Sequence, residues 1–369
     1  MAKTRQALDV WSTKPAKPDR PQVGRRVPAR RYDGSALDLN ESSFFDAPMA
    51  GLKTDYRSAF RGAPVLITGG AGFIGSHLAH RLVELGAVVR VLDDLSGGFQ
   101  ANVPDAAEFI NASILDERAL AGAVRGCQFV FHEAAMVSVP ESVERPDECA
   151  LVNITGTERV LEAARSAGVK RVLFAASAAA YGGNPKLPSR EDHQPDCWSP
   201  YAASKVAGEL LLTAFARCYE ISTASLRYFN IFGPRQNPNS AYAAAISAFA
   251  KALRAGTQPT IFGDGRQTRD FTHIDNVVHA NLLAASNARP LQGDVINIGT
   301  GQRISLLDVL EQMGRVLNVD VRPVFAPPRA GDVRDSVADI SKARELIGYE
   351  PVMPFSKGIE RTLMEDSMT

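Results

Sequence analysis

The chain has 369 residues, 41 Lys+Arg against 41 Asp+Glu, 45% hydrophobic and 22% charged residues. That length serves one large α/β domain or two linked lobes, and the zero net charge excludes a global pull toward nucleic acid or an anionic membrane. No apolar run approaches the roughly 20 residues that span a bilayer, the start lacks the apolar core of a secretion signal, and Cys127, Cys149, Cys197 and Cys218 show neither paired nor zinc-type spacing, so reduced thiols in a cytoplasmic protein without a metal are expected.

Residues 1–60 read as a flexible basic arm. Across the first 31 positions Lys3, Arg5, Lys14, Lys17, Arg20, Arg25, Arg26, Arg30 and Arg31 face only Asp9 and Asp19, and Pro15, Pro18, Pro21 and Pro28 interrupt any helix. Such a segment suits draping over a partner subunit.

Residues 61–230 carry the pattern of a dinucleotide-binding domain. The apolar run Val65-Leu66-Ile67 predicts a strand, and Thr68 leads into Gly69-Gly70-Ala71-Gly72-Phe73-Ile74-Gly75. A helix is expected from Phe73 to about Leu85, with Ile74, Leu78, Leu82 and Leu85 on one face. In that arrangement Gly69 permits the tight turn, Gly72 admits a pyrophosphate and Gly75 lets the helix approach the sheet. The phosphates would rest on the helix start at Phe73 and Ile74. A second strand from Val88 ends at Asp93, where a carboxylate can take adenosine ribose hydroxyls and repel a 2′-phosphate. NAD is therefore the expected cofactor.

Strand-like runs follow at Phe109-Ile110, Phe129-Val130-Phe131 and Arg171 to Phe174, with a long helical pattern over about Ser142 to Ala167. Alternating strands and helices predict an α/β fold, a doubly wound parallel sheet, with ligands at the carboxyl ends of the strands. His132, Glu133 and Ala134 fall at one such end. The two polar residues read as structural or cofactor-lining, and Ala134 as a cofactor contact.

Ser199-Pro200 reads as a helix start, a capping hydroxyl followed by Pro at the first helical position. Tyr201 and Lys205 then stack one turn apart on one helix face. A neighbouring ammonium and the helix dipole favour a phenolate, so Tyr201 is expected to act as a base near neutral pH.

Gly69-x-x-Gly72-x-x-Gly75, Ser177 ahead of Tyr181-Gly182, and Tyr201-x-x-x-Lys205 occur in the order and spacing of the extended short-chain dehydrogenase/reductase family, which the chain resembles over about residues 62–365. Within it, Phe131 to Ser142, Arg227 to Pro234 and Gly263-Asp264-Gly265 to Arg269-Asp270-Phe271 resemble the nucleotide-sugar epimerase branch. Related dehydratases and decarboxylases carry an acid just after the catalytic Ser or Thr, where this chain has Ala178-Ala179-Ala180. The resemblance implies that Tyr201 takes the proton of a sugar 4-hydroxyl, that Lys205 holds the nicotinamide ribose, and that Ser177 bonds the same sugar oxygen. It also implies tightly bound NAD and a homodimer through the helices near 142–167 and 199–219.

Residues 231–369 are expected to form a smaller α/β substrate lobe, with some segments returning to the first domain. By the resemblance, Ser138 lies in the substrate loop, Arg269 and Arg329 bind a UDP-sugar diphosphate, Asn230 contacts the phosphate or sugar region, and Asp332 holds the uridine ribose. Ser336 aligns with a position that is a large Tyr in epimerases restricted to glucose and galactose. A small residue there leaves room for an acetamido group. With Ser138-Val139-Pro140 and Ala241 to Ala244, it implies 4-epimerisation of UDP-N-acetylglucosamine in surface-polysaccharide synthesis, UDP-glucose being a possible second substrate. Two alternatives stay open: a UDP-glucuronate or N-acetylated uronate 4-epimerase, and a non-catalytic NAD-binding regulatory module.

Overall fold

The computed structural model describes residues 56–184, 186–236, 245–328 and 333–365. The expected basic arm, except for its last residues, lies outside them, as do Ala241 to Ala244, Arg329 and Asp332. A seven-stranded sheet runs, from edge to edge, Gln292–Ile298, Ser222–Tyr228, Arg171–Ser177, Phe129–His132, Pro64–Thr68, Val88–Asp93 and Glu108–Asn111. Every adjacent pair is parallel. The expected doubly wound sheet is thus the observed one.

Chain order explains where a ligand fits. The chain begins centrally at Pro64–Thr68 and moves outward through two strands, then crosses back to lay Phe129–His132 on the other side of the first. This reversal opens a crevice between the carboxyl ends of Pro64–Thr68 and Phe129–His132.

Alternating side chains build two cores. Val65, Ile67, Val91 and Phe131 pack with Leu78 and Leu82 of the helix Phe73–Glu84 and with Val277, Val278 and Leu282 of the helix Ile274–Ser286. Leu66, Leu92, Val130, Val172 and Phe174 form the other core with Leu120, Leu161 and Leu212. Each fully buried side chain of this size contributes about 1.5–3 kcal/mol by leaving water. A third core, including Phe232, Phe249, Phe271, Val309, Met313 and Ile359, belongs to the C-terminal elements.

Two local expectations are corrected. Residues at the end of the expected arm are packed: Arg57–Phe60 is a short helix, and Tyr56 and Phe60 are buried in the first core. Their spacing of one helical turn brings Phe60 against Phe129 (ring centroids 5.5 Å) and Tyr56 against His279 (5.8 Å). The single helix over about 142–167 is instead broken into Val139–Glu144, Pro146–Ala150, a wider π-helical turn at Leu151–Thr155, and Gly156–Ser166. Pro146, which has no N–H to donate, ends the first piece.

The helix Pro200–Tyr219 is pinned to the sheet by a buried ion pair. Arg227 donates from Nε and Nη2 to the two carboxylate oxygens of Glu209, each at 2.7 Å, and its guanidinium lies 4.7 Å from the Tyr181 ring centroid. Both side chains are nearly inaccessible, at 3% and 5%. Arg227→Met strands a buried carboxylate, so an expected loss of about 3–5 kcal/mol follows. Denaturant unfolding checks it, and a loss below about 1 kcal/mol, the range of an exposed pair, would contradict it.

Candidate active site

The glycine turn is built by close backbone approach. Gly69 has φ +71°, and a Cβ there would lie 2.5 Å from Ala134 N, so the turn is seated directly on the loop after Phe129–His132. A Cβ on Gly75 would stand 2.3 Å from Gly69 O. The helix Phe73–Glu84 starts at Gly72 with no side-chain cap. Its first N–H groups are therefore available to an anion. Asp93, at the end of the neighbouring strand, accepts from Ala71 N (2.9 Å) and Leu95 N (2.8 Å). Burial pushes the Asp93 carboxyl up, and these two N–H groups pull the other way.

Across the crevice, Ser199 caps the helix Pro200–Tyr219 by accepting from Ala202 N at 3.1 Å, and Pro200 takes the first position. Tyr201 and Lys205 thus sit in its first two turns. Ser177 ends the strand Arg171–Ser177 and accepts from Ala179 N at 3.1 Å. Its hydroxyl lies by the Tyr201 phenol and favours the ionised form of that phenol. Ala178–Tyr181 is a short 3-10 turn that places no carboxylate beside Ser177.

Lys205 Nζ donates to the Ala175 carbonyl at 2.8 Å, and lies 4.8 Å from the Phe174 ring centroid and 5.9 Å from that of Tyr201. Burial lowers Lys205 to about 8. Burial pushes the Tyr201 phenol up; the Ser177 hydroxyl opposes this, while Cys149 and Glu133 add to it. The expected depression of Tyr201 by Lys205 is therefore corrected: desolvation of the phenol dominates.

A profile described as "NAD dependent epimerase/dehydratase family" matches residues 65–299. The chain belongs to this family. It is 40% identical over 306 residues to UDP-glucose 4-epimerase from Mycolicibacterium smegmatis, a match spanning 81% of this chain and 96% of that one. Among solved structures, the UDP-N-acetylglucosamine 4-epimerase from Methanobrevibacter ruminantium M1, in complex with UDP-N-acetylmuramic acid, is similar at TM-score 0.80 and 34% identity, covering 84% of this chain and 99% of that one. The UDP-glucuronic acid 4-epimerase from Bacillus cereus, in complex with UDP-glucuronic acid and NAD, gives TM-score 0.76 and 30% identity over 83% and 99%.

The residues of this family member fit NAD. The uncapped helix start at Phe73 and Ile74 suits a pyrophosphate, the space where Gly69, Gly72 and Gly75 lack a Cβ admits close backbone approach, and Asp93 stands at the strand end that receives a ribose. Among the described residues no group of three His, Cys, Asp or Glu side chains is placed to hold a metal. No helix there is long and apolar enough to cross a membrane.

Sequence reading and structure meet differently at the substrate positions. Ser138 caps the helix Val139–Glu144, accepting from Glu141 N at 3.3 Å. Asn230 adopts φ 31°, a backbone that Asn tolerates better than most residues, between Ser222–Tyr228 and Ile231–Phe232. Arg269 Nη1 donates to the carbonyls of Thr268 and Arg334, both at 2.9 Å. Ser336 N donates to Thr268 O at 3.1 Å, which lays the 333–340 segment beside Thr268–Arg269.

Three supporting residues were not singled out by the sequence. Asn153 Nδ2 donates to Ser204 Oγ (2.9 Å) and Met136 O (3.0 Å), and its Oδ1 accepts from Met136 N (2.8 Å). Ser204 in turn donates to Tyr201 O at 2.8 Å, so one amide ties the 134–138 loop to the helix of Tyr201. Thr157 lies one turn beyond Asn153 and accepts from His132 Nε2 at 2.9 Å, while Thr68 O–H donates to His132 Nδ1 at 2.8 Å. Thr157 gives its own proton to Asn153 O, which fixes these directions. Burial holds His132 down at about 3, so it is neutral and structural. The available signal was the polar line Cys149, Asn153 and Thr157, all buried, along a helical face that should be apolar.

Proposed function

We propose that the protein inverts the 4-hydroxyl of UDP-N-acetylglucosamine through a 4-keto sugar, as a cytoplasmic homodimer. The UDP-sugar 4-epimerase activity and the NAD cofactor follow from the family and from the relatives' closeness; the choice of sugar is the proposal. The observation that carries the chemistry is the meeting of Ser177, Tyr201 and Lys205 across the crevice from the glycine turn, with alanines where an extra acid would stand.

NAD, when bound, supplies a hydride acceptor at carbon 4 and then the donor. Tyr201 removes and returns the proton of the 4-hydroxyl. Ser177, beside Tyr201, steers that proton toward the same oxygen. Lys205 orients the nicotinamide ribose by its remaining N–H donors, since one is given to Ala175 O. For the diphosphate, Arg269 and Arg329 supply cations; Ser138 and Asn230 contact the sugar side, and Asp332 the uridine ribose.

Ser336 sets the sugar. Its hydroxymethyl leaves volume that a phenol ring fills, and the effect on the acetamido group is steric. Ser336→Tyr is expected to lower kcat/KM for UDP-N-acetylglucosamine at least about 100-fold more than for UDP-glucose. Equal losses on both sugars would remove Ser336 from this role.

Dimer formation is supported by exposed Val143 (38%), Leu151 (47%) and Leu210 (66%) on the helices of 139–166 and Pro200–Tyr219. The decisive assay gives purified protein UDP-N-acetylglucosamine without added NAD and looks for the galacto epimer by NMR. Turnover of UDP-glucuronate in its place would overturn the assignment of sugar.

A further inference from the structure

The short helix Val139–Glu144 is built inside out. Val139 and Val143 are exposed, while its one buried residue is a hydroxyl, Ser142, at 0% exposure. A hydroxyl taken so far from water must find its hydrogen bonds within the fold. Ser142 N–H donates to Ser138 O at 3.0 Å and its Oγ to Val139 O at 2.6 Å, local bonds of the kind helical serines often make. Its other contact is not local. Ser142 Oγ accepts from the backbone N–H of Tyr201 at 3.1 Å, 59 residues further along the chain.

The start of the helix Pro200–Tyr219 shows why that acceptor is needed. The first N–H groups of a helix have no partner within it. Pro200 has no N–H, Ala202 N donates to Ser199 Oγ at 3.1 Å, and Ala203 N donates to Ser199 O at 3.0 Å. That leaves Tyr201 N–H, which Ser142 takes. The carbonyl of Tyr201 is tied as well: Ser204 Oγ donates to it at 2.8 Å and accepts from Asn153 Nδ2, which also donates to Met136 O. Both backbone groups of Tyr201 are thus fastened to the 136–142 segment, directly at the N–H and through two side chains at the carbonyl.

We propose that Ser142 is a positioning residue of the epimerase reaction: by holding the Tyr201 N–H, its hydroxyl sets the phenol against the loop that carries Ser138. Ser138 caps the helix on which Ser142 stands, one turn away. The group on the sugar side and the group that takes the sugar's proton therefore share one rigid turn. Ser142 makes no bond to substrate. It acts through the distance from sugar hydroxyl to phenol, where an error of about 1 Å costs about 10²-fold in rate. The inference rests on the reading of Tyr201 as the base and of Ser138 as a sugar contact.

The test compares the full chain with Ser142→Ala, which removes the acceptor, and Ser142→Thr, which keeps it. Rates are taken per bound NAD, so that a loss of folded protein does not enter. In Ser142→Ala, kcat falls at least about tenfold while UDP affinity stays within about threefold and NAD content matches the parent's. Ser142→Thr brings kcat back to within about threefold of the parent. Exchange of the Tyr201 amide hydrogen is read by NMR on protein labelled at tyrosine nitrogen, its signal being the one missing in Tyr201→Phe. That exchange quickens at least about tenfold in Ser142→Ala, and the other tyrosine amides keep their rates. A Ser142→Ala enzyme with the parent's kcat, or a Ser142→Thr enzyme as slow as Ser142→Ala, overturns the proposal. So does an unchanged Tyr201 amide. Should Ser142→Ala not fold, Ser142→Cys is close in size but a weak acceptor, and it must show the same fall in kcat; the parent's rate there is equally fatal. A parent inactive on every UDP-sugar sinks the functional reading and this inference together, whereas variants that match an active parent sink this one alone.

Discussion

Tyr201→Phe is expected to lower kcat by about 10²–10⁴-fold while leaving UDP-sugar binding within about threefold of the parent. In the proposed mechanism the Tyr201 phenolate accepts the proton of the sugar hydroxyl, and its ring stands in the first turn of the helix Pro200–Tyr219, where removing the oxygen leaves backbone geometry intact. Ser177 keeps the bond from Ala179 N. Steady-state rates with calorimetric binding of UDP separate the two effects. Because Ser177 acts on the same proton that Tyr201 takes from the 4-hydroxyl oxygen, adding Ser177→Ala to Tyr201→Phe should cost little more. A double variant that still epimerises at the parent's rate would remove Tyr201 from the chemistry.

Gly75→Ala is the second large effect. Its new methyl would meet Gly69 O at 2.3 Å and Gly70 Cα at 2.7 Å, both backbone atoms that have no flexible side chain to give way. The turn must open or the helix must lift, and either moves the uncapped helix start from the phosphates. NAD retention should fall at least about 100-fold, near 2.7 kcal/mol, measured as nucleotide released from purified protein by mass spectrometry. Gly122→Ala is the control: it lies in the helix Glu117–Val124, its Cβ meets nothing within 4 Å, and it should stabilise by up to about 1 kcal/mol without changing NAD content. A Gly75→Ala protein that purifies with the parent's NAD content would count against the cradle.

The cofactor half was legible because its signals are local. Val65-Leu66-Ile67, the glycine spacing and the period of Leu78 and Leu82 predicted strand, turn and helix, and the structure gives Pro64–Thr68 and Phe73–Glu84. Ser199-Pro200 likewise marked the helix start that the structure shows. The helix Ile274–Ser286 was not legible. Its residues from Ile274 to Ala285 are all buried, so no polar face alternates with an apolar one, and some of its polar members bond at long range. Asn276, for example, accepts from Val352 N and Met353 N and donates to Met353 O. Composition around Tyr56 and Phe60 pointed to an arm, because two aromatics among polar residues carry too little pattern to announce a core contact. At the site, the Tyr201–Lys205 spacing established a shared helix face, but the direction of the ammonium depended on Ala175, a residue thirty positions earlier.

The last strand of the sheet comes from Gln292–Ile298, and the helix Ile274–Ser286 covers one of its faces. A ribosome making this chain therefore releases the glycine turn and Tyr201 long before the pieces that shield them. Until residue 298 emerges, Ser222–Tyr228, buried along its whole length in the finished protein, has an open hydrogen-bonding margin and an uncovered apolar surface. Premature termination before that point should yield a sticky, chaperone-dependent fragment rather than a free-standing nucleotide binder, so the gene has no natural place to be cut between its cofactor and substrate halves.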